Sequence, residues 1–114
     1  MIKINFRENQ IKDRFEVTVS GHAEAAEKGE DLICASASIL SLTLVQTIKC
    51  MEQQDFFVNP PRYKVQEGYT QVVCKPKPEY LSAVVNSLAT IKVGFSILSE
   101  GMPSFVELTT DVGA

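Results

Sequence analysis

Residues 33–51 read ICASASILSLTLVQTIKCM, and within them Ile33, Ala37, Leu40, Leu44, Ile48 and Met51 recur at steps of three or four. That spacing places all six on one stripe of a helix, a stripe that needs an apolar partner. The partner is written upstream. Ile2, Ile4 and Phe6, and again Phe15, Val17 and Val19, alternate with polar residues across a polar break at Glu8 to Arg14, which predicts two strands joined as a hairpin. Downstream, Asn59-Pro60-Pro61 cannot continue a helix. Tyr63 and Val65, then Tyr69, Gln71 and Val73 with Val72 on the opposite face, flank a tight turn at Glu67-Gly68 and predict a second hairpin. Pro76 and Pro78 precede a second helix, whose stripe is Leu81, Val84, Leu88, Ile91, Phe95 and Leu98 and whose end is expected near Ser99. Gly94 inside it marks either close packing or fraying. Gly101 and Pro103 break the chain before a last β-prone run from Phe105 to Thr109. The order β-β-α-β-β-α-β predicts an α+β domain of two or three layers, with two helices packed on a mixed or largely antiparallel sheet.

A chain of 114 residues is the size of one domain, expected to span 1–114. At 45% hydrophobic and 22% charged residues it has the composition of a soluble globular protein. A net charge of -3 supplies no basic surface for a phosphate backbone, so direct nucleic-acid binding is not expected and a basic peptide is the better partner. The opening Met1-Ile2-Lys3-Ile4-Asn5-Phe6 alternates instead of forming an apolar run, so a cytoplasmic protein without a membrane partner is expected. Three widely spaced cysteines, Cys34, Cys50 and Cys74, fit a reducing compartment better than a disulfide framework. With one histidine and no Cys-x-x-Cys pair, neither a metal site nor a cofactor is expected.

The chemistry concentrates in Gly21-His22-Ala23, followed after five residues by Gly29-Glu30-Asp31-Leu32-Ile33-Cys34-Ala35-Ser36-Ala37-Ser38. Histidine is suited to proton transfer near neutrality and a thiol attacks as its thiolate, so His22 and Cys34 read as base and nucleophile. Asp31 stands where an N-cap would, which puts Cys34 in the first helical turn. The helix end is worth about 0.3–1 kcal/mol to an anion, and the carboxylates of Glu30 and Asp31 oppose it. A protonated His22 is the stronger lever on the sulfur. Free amides at Cys34 and Ala35 are candidates to hold an oxyanion, and Asp31 either orients His22 or only caps the helix. Gly29 and the alanines at 23, 25 and 26 make the intervening segment adaptable. Ser38, one turn beyond Cys34, either faces the site or allows the sheet to approach. Cys50 and Cys74 read as packing residues, and Phe56, Phe57, Tyr63 and Tyr69 read as core before peptide-binding surface.

The same run resembles the signature of the ribosomal-processing cysteine protease family, often called Prp. The resemblance implies a cytoplasmic bacterial endopeptidase, a homodimer, that removes the N-terminal extension of a large-subunit ribosomal protein. It implies Cys34 as nucleophile and His22 as general base, with Gly21, Gly29, Asp31, Ala35 and Ser38 shaping the site and a mobile segment closing over bound peptide. Ser36 departs from the glycine or alanine common in that family. Two other readings stand beside it: a non-catalytic ribosome-associated peptide-binding module, and a thiol redox enzyme. For the latter Cys50 is a poor resolving partner, about 24 Å along the same helix at about 1.5 Å per residue.

Overall fold

The computed structural model describes residues 1–9, 13–22 and 28–113, of which 28–31 and 113 are described by backbone alone. Two strands open the chain, β1 (Ile2–Asn9) and β2 (Arg14–Ser20), and α1 (Lys28–Gln53) follows. A hairpin of β3 (Arg62–Gln66) and β4 (Tyr69–Cys74) leads through a 3-10 turn (Pro78–Tyr80) into α2 (Leu81–Gly101), and β5 (Val106–Gly113) closes the chain. The element order is the one the sequence predicts.

The strands form one sheet in the order β3-β4-β2-β1-β5. Only the β1–β5 pair is parallel, so the sheet is mixed and largely antiparallel. From these pairings β3 runs with β2, and β5 runs with β4. Each helix is therefore a crossover between two strands of one direction, the length of connection that such pairs require. Both helices lie on one face, giving two layers. Ile4, Phe6, Val17, Val19 and Val72 are buried beneath Ile33, Ala37, Leu44 and Ile48 of α1 and Val84, Leu88, Ile91 and Phe95 of α2. The opposite sheet face is polar and internally bonded. There the Gln71 amide donates to Glu16 at 2.7 Å, and the Asn5 amide donates to Thr109 at 2.7 Å and Asp111 at 3.0 Å.

Phe95, with no exposed surface, sits at the centre and meets the edge of Phe6 at 6.0 Å between ring centroids. Gly94 beside it resolves the choice between packing and fraying. A β-carbon there would stand 2.6 Å from Leu40 Cδ2, so the missing side chain lets α2 approach α1, and the helix runs on past Ser99 to Gly101. By length and composition Leu32–Gln53 and Pro78–Gly101 are each apolar enough to cross a membrane, yet each lays its apolar stripe on this sheet.

Three expectations need correction. Helix α1 begins at Lys28, so Asp31 lies inside it and is not its N-cap. The polar run Lys28-Gly29-Glu30 reads as loop in isolation, but the helix propagates through it because the packed stripe downstream supplies the stability. Cys50 is exposed on α1 and is not a packing residue, whereas Cys74 is buried. The last strand extends beyond Thr109 to Gly113, because β1 templates it along its full length from Ile2–Val106 to Asn9–Gly113.

Candidate active site

The sheet pairing brings three chain segments to one end of the molecule. Ser20 at the end of β2 lies opposite Lys3 near the start of β1 on one side and Tyr69 at the start of β4 on the other. The β3–β4 turn is thus beside the Gly21-His22 exit, and α1 starts above it. Between α1 and the hairpin lies an open cleft of about 320 Å³. Cys34, Ala37, Ser38, Leu42 and Val45 line its helical wall, and Val65 to Thr70 line the hairpin wall. Ile2 and Val19 form its floor, with Gly21 and His22 at the β2 end.

Each functional group is held by local geometry. Gly21 has φ +93°, a conformation that disfavours a side chain, and a β-carbon there would collide with the Met1 carbonyl oxygen. Its N–H donates to the Gly68 carbonyl at 2.9 Å, fastening the strand exit to the β3–β4 turn. His22 follows with its side chain exposed in the cleft and its Nε2 end over Gly68. Cys34 is half-buried, at the edge of the core. One and two turns on, Ser38 and Leu42 share its side of the helix. Ser41 also lines the cleft, but its hydroxyl donates to the Ala37 carbonyl at 2.8 Å. Ser36 donates to the Leu32 carbonyl at 2.7 Å and is not part of the wall. Among the described lining residues Glu67 is the only Asp, Glu, Lys or Arg.

Of the site residues expected from sequence, Gly21, His22, Cys34 and Ser38 meet in this cleft. Ala35 is exposed and does not line it. Because α1 starts at Lys28, the amides of Cys34 and Ala35 fall in its second turn, where each N–H pairs with the carbonyl four residues back. They are not the free oxyanion donors that an Asp31 cap would create, and the helix-end field at Cys34 is correspondingly weaker. Gly29 and Asp31 belong to the first turns of α1 by their backbone. Residues 23–27, the centre of the segment expected to close over a peptide, lie outside the described residues.

The other sulfurs are placed apart from the cleft. Burial pushes the Cys74 thiol up to about 12 and keeps it protonated, and Cys50 is exposed on α1 but does not line the cleft. Among the described residues no group of three or more His, Cys, Asp or Glu side chains could hold a metal ion. The contribution that sequence reasoning missed is the β3–β4 turn as a wall of the site. Glu67-Gly68 signals a turn, but periodicity alone cannot say that β4 pairs with β2 and so carries that turn to His22.

Comparison with known proteins bears on the family and the fold. The family described as cysteine protease Prp matches residues 1–107. The crystal structure of SMU.848 from Streptococcus mutans is similar at 23% identity, covering 98% of this chain and 95% of that one, with a TM-score of 0.70. The essential ribosomal processing protease Prp from S. aureus in complex with a substrate peptide is similar at 19% identity, covering 96% and 99%, with a TM-score of 0.71. The same protease with a covalently linked product peptide gives 20% identity over the same shares and a TM-score of 0.69. No curated protein sequence matches.

Proposed function

Since the chain belongs to the cysteine protease Prp family and is thereby a cysteine-type peptidase, we propose that it is an endopeptidase working through a Cys34–His22 dyad. The observation that carries this reading is the placement of the chain's one histidine and its half-buried cysteine around a single open cleft. The Cys34 thiolate attacks the scissile carbonyl carbon, and the C–N bond breaks as His22 protonates the departing amine. Water, deprotonated by His22, then hydrolyses the thioester and returns the thiol. The Ser38 hydroxyl, one turn from the sulfur, is the side-chain donor for the oxyanion in place of the helix amides. The apolar walls at Leu42, Val45 and Val65 suit apolar side chains of an extended peptide.

The substrate we infer is the N-terminal extension of a large-subunit ribosomal protein, processed in the cytoplasm. Its support is the likeness to a protease described as a ribosomal processing enzyme and captured with substrate peptide. We further infer a homodimer. Leu32, Ile39, Val93 and Ile97 are exposed on the outward faces of α1 and α2, and no charged residue occurs between Asp31 and Lys49.

The test is direct. Incubated with the extended ribosomal protein, wild type releases the extension and Cys34→Ser does not. Equal release by both, or release by neither, overturns the reading for that substrate.

A further inference from the structure

The β3–β4 turn does more than wall the cleft. Gly68 has φ +73°, and a β-carbon built on it would stand 2.7 Å from His22 Nε2, 3.2 Å from Cε1 and 3.5 Å from Cδ2. Carbon and nitrogen do not approach so closely without bonding, so the imidazole occupies the space that any other residue at 68 would fill. The turn is also tied to the residue before the histidine, through the Gly21 N–H donating to the Gly68 carbonyl at 2.9 Å. Two independent contacts thus join one glycine to the His22 segment, one holding its backbone and one seating its ring.

We propose that Gly68 is a positioning residue for His22: the bare turn is the seat of the imidazole, and the absence of a side chain sets how far the ring stands from Cys34. The inference rests on the reading of His22 as the base. It does not make Gly68 a catalytic residue, because the glycine acts only through the ring. A side chain at 68 displaces the imidazole from its seat, and a small displacement in a dyad costs far more in rate than in stability.

Because the chain has a single histidine, its imidazole signals need no assignment by mutation. In the wild-type protein the His22 Cε1 proton shows a nuclear Overhauser contact to the Gly68 α-protons; its absence overturns the proposal without recourse to any variant. Two substitutions separate displacement from backbone strain. Gly68→Ala adds a β-carbon at a positive φ, and Gly68→Asn adds the same carbon with a residue that tolerates that φ. Both slow iodoacetamide labelling of Cys34 at pH 7 by about threefold or more, a thiolate's greater abundance being partly offset by its lower nucleophilicity. Both lower kcat for peptide cleavage more than they raise KM, and labelling of Cys50 in the same sample is unchanged. In a His22→Ala background the same substitutions leave Cys34 labelling unchanged, since there is no ring to displace. If Ala alone has an effect, or if either variant adds its full effect on top of His22→Ala, the proposal fails. If His22→Ala itself leaves Cys34 labelling at the wild-type rate, the dyad reading fails first, a result distinct from both.

Discussion

The three cysteines divide by surroundings, and their chemistry divides with them. Cys74 packs on the sheet face beneath the helices, with its thiol pushed up to about 12 from an ordinary 9.0 by burial. It should remain unlabelled by iodoacetamide at pH 8 in the native protein and react once urea unfolds the chain; rapid native labelling would contradict its burial. The raised value also has a sign for stability. The folded state keeps a proton that the unfolded state gives up, so the contribution is complete below about pH 9 and is lost as pH climbs towards 12. Tyr63, raised by burial and by donating to Glu52 at 2.8 Å, acts in the same direction. The urea midpoint should therefore fall between pH 8 and pH 10, and fall less in Cys74→Ala. At this scale His22 and Cys34 were legible as a pair, since each supplies what the other lacks. Burial was not legible in the same way. Cys50 and Cys74 both fall in apolar company along the chain, and only the helix's orientation leaves the first in solvent while the sheet's covers the second.

Among the elements, the contact between α1 and α2 is set by one glycine. Gly94→Leu inserts a branched side chain where even a β-carbon meets Leu40 Cδ2, and it should cost about 1–3 kcal/mol by urea denaturation. Gly94→Ala should lie within about 1 kcal/mol of wild type, because the flexible end of Leu40 can swing aside while the helix gains propensity. An unchanged midpoint in Gly94→Leu would mean the helices do not meet there. The helix stripes and the first two strands could be read because their periods, 3.6 and 2, persist over many residues. The start of α1 could not. Asp31 is a sound capping residue, but Gly29 and Glu30 ahead of it carry no apolar signal, and a helix extends through neutral sequence once its packed turns are formed.

At the scale of the molecule, the site exists because β3 runs with β2. The pairing of β4 with β2 that sets this direction returns the Glu67-Gly68 turn to the end of the sheet where His22 emerges and α1 starts, and no local pattern encodes it. The chain's alternating runs predict strands without naming their neighbours, which is why the hairpin wall of the cleft was not foreseen, whereas His22 and Cys34 could be singled out by residue type alone. The apolar residues exposed on the helix layer, Leu32, Ile39, Val93 and Ile97, make a prediction for the whole molecule. Light scattering should report twice the 12.6 kDa chain mass for wild type, and Val93→Glu with Ile97→Lys should return the single-chain mass with an unchanged circular dichroism spectrum. A wild-type monomer at micromolar concentration would remove the dimer from the account.

The sharpest test uses a peptide chloromethyl ketone carrying the residues that precede the scissile bond of the extension, followed by peptide mapping in the mass spectrometer. Meeting of sulfur and imidazole in this cleft predicts one covalent adduct, on Cys34, forming several-fold more slowly in His22→Ala. Labelling of Cys50 in its place, or an adduct rate indifferent to His22, would contradict it.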